Sequence, residues 1–183
     1  MKLQILSDTH NSKYSISEQA DVIIHAGDFS NRLSGAIEFA EKCKSLNKKF
    51  IFVLGNHDYQ IGVVELDSLL RDVPPKHELL TANLQIPSKF THIKKYVKPY
   101  HEFKIGESKV AILGLTTDEI FYKWLFPKDS ILSPIDTAKK YEQILKDRGN
   151  NFIIALTHLG LSTDKKLASK SKYIDLIIGG HSH

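Results

Sequence analysis

The chain has 183 residues, of which 42% are hydrophobic and 25% are charged, and such proportions are typical of one globular domain. Its 25 basic and 21 acidic residues give a net charge of +4, a mild excess that suits an anionic substrate without requiring nucleic acid. The single cysteine, Cys43, excludes an internal disulfide bond and a cysteine-based metal site.

The first residues and the apolar runs argue against export and membrane insertion. The N-terminal sequence MKLQILSDTH has a single lysine and a short apolar segment, without the longer apolar run and the cleavage site of a signal peptide. No stretch approaches the ~18 apolar residues of a membrane span. We therefore expect a cytoplasmic protein that does not enter a membrane.

Short apolar runs predict strands that are buried on both faces, as in parallel sheets. In chain order these strands are Lys2–Leu6, Asp21–Ala26, Lys49–Leu54, Phe152–Thr157 and Ile174–Gly179. The apolar spacing of Gly35–Leu46 predicts a helix between two of them. A second helix is predicted over Ser133–Arg148, with Ser133 as N-cap and Pro134 as first helical residue. This alternation of strands and helices predicts an α/β fold.

Residues 76–118 show a different pattern, with short β-like segments at His77–Ala82, Val97–Lys104 and Lys109–Leu115. Gly106 is the expected turn between the last two segments. We expect this region to form a second, more antiparallel sheet. The basic cluster Lys89–Lys98 is interpreted as a hairpin with a solvated face, and a nucleic-acid site there is the less favoured interpretation.

Polar residues that can bind a metal follow each of the predicted buried strands. Because the carboxyl ends of the strands in an open α/β sheet form one rim, we expect these side chains to converge. The candidate ligands are Asp8, His10, Asp28, Asn56, His158, His181 and His183. They are too many for one tetrahedral site and suit two metal ions that share a carboxylate, for which Asp28 is the choice.

The ligand types indicate the metals and the chemistry. Imidazole and carboxylate ligands without thiolate favour two divalent or trivalent ions among Mn, Fe, Zn and Co, with Mn favoured in vitro. Asp8 and Asp28 would cancel half the charge of two divalent ions, which leaves about two positive charges for a hydroxide and a phosphate group. A metal-bound water can have a pKa near ~7, which supplies a nucleophile at neutral pH.

These motifs resemble those of the calcineurin-like metallophosphoesterase superfamily. Its pattern of D-x-H, G-D, G-N-H-[DE], a lone His and G-H-x-H occurs here in order, from Asp8 to His183. The resemblance implies a four-layer α-β-β-α sandwich, in which two mixed sheets are flanked by helices and a dimetal site lies at the C-terminal strand ends. It also implies one metallophosphoesterase domain over residues 1–183, for which truncation at the C-terminus is left open because the family usually continues past this last motif.

A narrower resemblance connects the second half of the chain with the metal-binding domain of bacterial 5′-nucleotidases. It is carried by LTANL, KPY, KVAILGLTT, IIALTHLG and IDLIIGGHSH, within residues 79–183. The resemblance implies two ligand sets that share Asp28. One set is Asp8, His10, Asp28 and His183, and the other is Asp28, Asn56, His158 and His181.

The resemblance assigns His57 a different role, which is to contact the phosphate and protonate the leaving oxygen. Such proton donation is typically worth ~10²–10⁴ in rate. In 5′-nucleotidases an aspartate usually follows this histidine by three residues and orients it, whereas Gln60 stands at that position here. Asp58 or another carboxylate is a candidate for the orienting role.

The leading hypothesis is hydrolysis of a phosphomonoester, a nucleotide above all, by a metal-bridging hydroxide. The first alternative is a phosphodiesterase that acts on cyclic nucleotides or nucleic acid. An alternative of another class is a non-catalytic scaffold that keeps the fold and binds a partner. The preference between monoester and diester, the metals and the oligomeric state are left open.

Three features outside the ligand set have structural interpretations. His25 is expected to be a buried, hydrogen-bonded histidine or one that supports a metal ligand, and not a ligand itself. Asn83 is expected to be a structural turn residue. An aromatic cluster follows Thr116–Asp118, and it is interpreted as a packed loop or as a lid over the substrate. Its members are Phe121, Tyr122, Trp124 and Phe126.

Overall fold

A computed structural model describes residues 2–10, 14–29, 34–58, 62–72, 77–119 and 130–182. All structural statements below concern these residues. Gln60, the aromatic cluster over residues 121–126 and His183 lie outside them, so the predictions made for these residues are not addressed by the structure.

The first sheet consists of five strands in their chain order, and all their described pairings are parallel. These strands are β1 (Leu3–Leu6), β2 (Val22–His25), β3 (Lys49–Phe52), β4 (Glu78–Leu80) and β5 (Val97–Lys98). Every residue of β2 is buried, which agrees with the continuous apolar runs from which the first strands were predicted.

The second sheet contains four strands, again in chain order. They are β6 (Tyr100–Ile105), β7 (Ser108–Thr116), β8 (Phe152–His158) and β9 (Leu176–Gly179). β6 and β7 form the predicted antiparallel hairpin, in which Gly106 has the positive φ of 57° that the turn requires. β7, β8 and β9 pair in parallel, so this sheet is the mixed one of the two.

Five helices complete the described fold. They are α1 (Ser34–Ser45), α2 (Gly62–Asp72), α3 (Thr91–Tyr96), α4 (Pro134–Asp147) and α5 (Leu161–Lys170). The predicted start of α4 is confirmed, since the Ser133 side chain accepts a hydrogen bond from the Asp136 N–H and Pro134 begins the helix. Within the described residues, none of the helices combines the length and apolar character needed to cross a membrane.

Three apolar clusters show how the layers stack. One cluster packs α1, α2 and α3 on the outer face of the first sheet, with Phe39, Leu66 and Ile93 among its buried residues. A second lies between the two sheets. The third packs α4 and α5 on the outer face of the second sheet, through residues such as Ala138 and Leu167. The predicted arrangement of two sheets flanked by helices is therefore confirmed.

Two predictions for the middle of the chain were wrong. The segment Lys89–Lys98 is not a hairpin, because it contains helix α3 and then strand β5. Asp67 of α2 caps α3 from outside, since its carboxylate accepts the backbone N–H groups of His92 and Ile93, each at 2.9 Å. Ile93 is fully buried and anchors the helix in the core. A contact with another helix thus decides the structure of this short basic segment.

The second error concerns the sheet to which the middle strands belong. The predicted segment His77–Ala82 contains β4, which pairs in the first sheet. The segment Val97–Lys104 is divided, because β5 pairs with β4 in the first sheet and β6 belongs to the second. The chain passes from β5 to β6 at Pro99, whose carbonyl accepts the Gly114 N–H from β7. Proline cannot donate to a ladder, which favours a change of sheet at this position.

Replacement of Asp67 by alanine should destabilise the protein by about 1–2 kcal/mol, because two backbone N–H groups of α3 lose their acceptor. The measurement is urea unfolding of the purified variant and wild type. Asp72→Ala, on the same helix, is the matched control, and we expect no measurable change because the ion pair described for Asp72 is with Arg71 and both side chains are exposed. Equal midpoints for the two variants would contradict the assigned role of Asp67.

Candidate metal centre

The predicted ligands lie where strands of both sheets end, not along the rim of one sheet. Asp8, Asp28 and Asn56 follow β1, β2 and β3 of the first sheet, whereas His158 ends β8 and His181 follows β9 of the second. The expectation of a single-sheet rim was therefore wrong. The two sheets share a rim because they are stacked with these strand ends together, and the His158 Nδ1 lies 2.7 Å from the Ala26 carbonyl across the seam.

Four potential ligand atoms converge at this shared rim. The His158 Nε2 lies 3.0 Å from the Asn56 Oδ1 and 3.2 Å from the Asp28 Oδ2. The His181 Nδ1 lies 2.6 Å from the Asn56 Oδ1 and 3.3 Å from the His158 Nε2. Asp28, Asn56 and His158 are at most 3% exposed, so the cluster is almost removed from water.

The Ala26 carbonyl determines which nitrogen of His158 faces the cluster with a lone pair. A carbonyl oxygen only accepts hydrogen bonds, so the His158 Nδ1 carries the proton and donates a hydrogen bond to the Ala26 carbonyl. In the neutral ring the Nε2 then presents its lone pair to Asp28 and Asn56. Acceptor atoms that face one another in a buried site attract a cation, and the residues present fit a divalent metal ion.

The pKa shifts of His158 and Asp28 also indicate that this cluster favours a positive charge. Burial lowers the pKa of His158, but the hydrogen bond and the charge of Asp28 outweigh it, so the pKa is raised above the ordinary value. Burial raises the pKa of Asp28, yet the hydrogen bond and charge of His158 turn the net shift downward. A proton on His158 therefore stabilises the Asp28 carboxylate, and a metal ion can replace that proton.

Asp28 also belongs to a second group of potential ligands, with His10 and His57. The His10 Nε2 lies 3.7 Å from the Asp28 Oδ2, and the His10 and His57 rings meet edge to face with centroids 5.0 Å apart. The other oxygen of Asp28 accepts the His57 backbone N–H at 3.0 Å. A carboxylate that is shared by both groups is the arrangement expected of a bridge between two metals.

Asp8 lies beside these groups but is in neither of them. Its carboxylate accepts hydrogen bonds from the Ser7 hydroxyl and, at 3.0 Å, from the His181 backbone N–H. In this arrangement Asp8 ties the loop after β1 to the loop after β9. The structure thus brings Asp28, Asn56, His158 and His181 together, places His10 and His57 around Asp28, and holds Asp8 at the edge.

The backbone is left-handed at most of the ligand positions that follow strand ends. Positive φ angles occur at Asp8 (49°), His10 (38°), Asp28 (55°) and His181 (85°). Among the described non-glycine residues, the other positive φ is that of Asn47, just after α1. This conformation costs non-glycine residues about 1–3 kcal/mol each and is concentrated at functional sites. Here it turns the side chains sharply out of the strand direction.

Two glycines allow the loops to approach Asp28 and His158. A Cβ atom on Gly27 would lie 2.6 Å from the His158 Nδ1, and Gly27 has a positive φ of 90°. A Cβ atom on Gly55 would overlap the Asp28 carboxylate. Both motif glycines are therefore required by close packing around the shared ligand.

Asp58 holds the loops after β2 and β3 in place. Its Oδ2 accepts the N–H groups of Asp28 and Gly55, each at 2.9 Å, and its Oδ1 accepts the Phe29 N–H at 3.2 Å. Burial raises the pKa of this carboxyl to about 7, although the backbone hydrogen bonds act in the opposite direction. The sequence made Asp58 a candidate for orienting His57, but these contacts show it to be a clamp on the backbone around Asp28.

The prediction that His25 is buried and hydrogen-bonded is confirmed. It is fully buried, and burial lowers its pKa to about 3, so the ring is neutral at ordinary pH. The Thr9 hydroxyl donates to the Phe29 carbonyl at 3.1 Å and therefore accepts from the His25 Nε2–H at 3.2 Å. His25 thus supports the turn that carries Asp8 and His10.

Asn83 is structural, as predicted, but it connects more than a turn. Its side-chain N–H₂ donates to the Thr116 carbonyl at 2.8 Å and its Oδ1 accepts the Thr116 N–H at 2.9 Å. It thereby fixes the end of β7.

Sequence reasoning missed Glu119, whose Oε1 lies 3.1 Å from the His181 Nε2. Its position just after β7 was the available signal, because strand ends of both sheets face the site.

Comparison with known proteins identifies the family. The family model described as calcineurin-like phosphoesterase matches residues 1–183. The NAD 5′-nucleotidase of Haemophilus influenzae is 32% identical over 171 residues, which cover 88% of this chain and 27% of that protein. A snake venom 5′-nucleotidase of Naja atra is 34% identical over 133 residues, which cover 71% of this chain and 25% of that protein.

Comparison with solved structures also finds nucleotidases. The Haemophilus influenzae NAD nucleotidase superposes with a TM-score of 0.72 at 29% identity, covering 88% of this chain and 29% of that one. The 5′-nucleotidase precursor of Thermus thermophilus superposes with a TM-score of 0.69 at 27% identity, covering 87% and 32%. The chain spans about a quarter to a third of the length of these relatives.

Asp58→Asn should lower the stability of the metal-free protein by about 2 kcal/mol or more, because the amide replaces one carboxylate oxygen with a donor and backbone N–H groups lose their acceptor. The measurement is the urea midpoint in a chelator. Asp136→Asn is the isosteric control, since Asp136 is exposed at the start of α4. A midpoint equal to that of the control would refute the clamp.

Proposed function

Because the chain belongs to the calcineurin-like phosphoesterase family, we propose that it is a metal-dependent phosphoester hydrolase that acts on nucleotides as a 5′-nucleotidase-like phosphomonoesterase. The observation that carries the proposal is the buried Asp28 carboxylate, which is shared by two groups of potential metal ligands. The names of its relatives, which include a NAD 5′-nucleotidase, support a nucleotide substrate.

Two sets of residues would hold the two metal ions. Asp28, Asn56, His158 and His181 form the deeper set, and His10, Asp28, Asp8 and His183 are proposed as the other. Histidine, aspartate and asparagine ligands suit Mn, Fe, Zn or Co, and Mn²⁺ is the ion to use first in vitro. When bound, the ions would supply a hydroxide nucleophile at neutral pH and balance the charge of the phosphate.

The residues around the ligands would organise the reaction. The buried Asp28 keeps its ionised form because His158 and the His57 N–H lower its pKa, and it fixes the centre of the site. The His57 ring is half-buried beside His10, whereas Asp28 is buried. We propose that His57 contacts the phosphate and donates a proton to the oxygen of the departing alcohol.

The test is hydrolysis of a substrate panel by the purified protein after chelation and reloading with Mn²⁺. We expect release of phosphate from 5′-AMP and from nitrophenyl phosphate. Bis-nitrophenyl phosphate, a cyclic nucleotide and single-stranded DNA form the diester arm. Faster turnover of any diester than of every monoester would refute the monoesterase proposal and favour a phosphodiesterase.

Asp28→Asn should abolish metal-dependent hydrolysis and lower the number of bound metal ions, because the shared ligand loses its charge. Metal analysis and the phosphate assay measure the two effects, with Asp136→Asn as control. If the wild type holds no metal and Asp28→Asn has the same properties in every assay, the enzyme proposal is wrong and a non-catalytic scaffold is favoured.

His57→Asn should reduce kcat for 5′-AMP by about 10²–10⁴ and leave the metal content unchanged. Nitrophenolate leaves without needing a proton, so kcat for nitrophenyl phosphate should fall much less. Comparing kcat for the two substrates therefore separates proton donation from phosphate positioning. Equal losses would mean that His57 positions the phosphate and does not act as the acid.

A further inference from the structure

We infer that Glu119 is a positioning residue that fixes the ring of His181 and makes its inward nitrogen a stronger metal ligand. The inference rests on the proposed function, since it assigns a partner to one of the proposed ligands. It depends on the contact between the Glu119 Oε1 and the His181 Nε2 at 3.1 Å, on the side of the ring away from Asn56 and His158.

The two nitrogens of His181 face different surroundings. The Nδ1 points into the cluster, 2.6 Å from the Asn56 Oδ1 and 3.3 Å from the His158 Nε2. The Nε2 points outward to Glu119, whose side chain is 50% exposed. An ionised carboxylate only accepts hydrogen bonds, so the proton belongs on the Nε2 and the Nδ1 lone pair faces the cluster.

The same logic operates at His158 with a different acceptor. There the backbone carbonyl of Ala26 holds the outer nitrogen, whereas at His181 the acceptor carries a full negative charge. A carboxylate behind a metal-binding imidazole fixes its tautomer and orientation and raises its basicity. Since the outer N–H of each of these two histidines has its own acceptor, both rings present a lone pair to the same point.

Glu119 is held in place by a buried anchor, although its own side chain is exposed. Its backbone N–H bonds the Thr117 hydroxyl at 3.3 Å. The preceding Thr116 is fully buried, and its hydroxyl donates to the Leu54 carbonyl at 3.2 Å, just after β3. Asn83 holds the backbone of Thr116 on both sides. The segment that presents Glu119 is therefore fixed to both sheets.

Glu119 limits rotation of the His181 ring, which the backbone of His181 does not fix. The His181 N–H donates to the Asp8 carboxylate, and the residue has a φ of 85°. These backbone features do not control rotation of the ring. A ring turned over would place carbon where the nitrogen must lie. Glu119 on the outer side of the ring and Asn56 on the inner side select the orientation in which the Nδ1 would face a bound metal ion.

The experiment is metal titration of chelator-treated protein with Mn²⁺, followed by electron paramagnetic resonance of the free ion, and with Co²⁺, followed by visible absorption. Glu119→Ala should weaken one of two sites by about 10–100-fold and change the Co²⁺ spectrum. Glu119→Gln keeps an oxygen that accepts the Nε2–H and should restore part of the affinity. Glu107→Ala, which removes an exposed carboxylate from the β6–β7 turn, should bind like the wild type.

The outcomes separate this inference from the proposed function. If the wild type binds two metal ions and hydrolyses nucleotides while Glu119→Ala binds metal equally well, the inference is overturned and the proposed function stands. If the wild type binds no metal, both fall. Should Glu119→Ala fail to fold, the comparison of Glu119→Gln with the wild type decides, and equal affinities and Co²⁺ spectra overturn the inference.

Discussion

Burial of one carboxylate, that of Asp28, is the constraint on which the site depends. Asp28 is 1% exposed at the seam between two sheets, and an isolated charge at such a place would be very costly. Its oxygens are instead contacted by His158, by the His57 N–H and by the ring of His10. Because the two sheets pack together at Asp28, the packing that buries this carboxylate also makes a balancing positive charge necessary.

The loops that surround Asp28 are strained, and buried hydrogen bonds offset that strain. Left-handed backbone at Asp8 and Asp28 is unfavourable for these residues in isolation. Asp58 accepts the backbone N–H groups of Asp28 and Gly55, and the Thr9 hydroxyl connects its turn to Phe29 and His25. These contacts are made within the protein and do not need a ligand. The loops around Asp28 are therefore held by the protein's own contacts, and preorganisation of this kind reduces the free energy that binding must supply for ordering.

The sequence was sufficient to predict the buried strands and the order of the ligand motifs, because apolar runs and the residues after them are local signals. It was not sufficient to show that the rim belongs to two sheets, since the decisive contacts join distant residues such as Asp8 and His181, 173 positions apart. Helix α3 was missed for the same reason, as its cap comes from Asp67 on another helix. The roles of Asp58 and Glu119 also depend on what lies opposite them, which no local pattern contains.

Exposure divides the site into a closed half and an open half, and this division supports the proposed roles. Asp28 and His158 lie at the closed side, where the Ala26 carbonyl occupies the outer nitrogen of His158. His10, His57, His181 and Glu119 lie toward the accessible side, with side chains of His10 and His181 that are 25% and 20% exposed. In the proposed function, a phosphate ester would approach the cluster from this accessible side, on which the proposed acid His57 also lies.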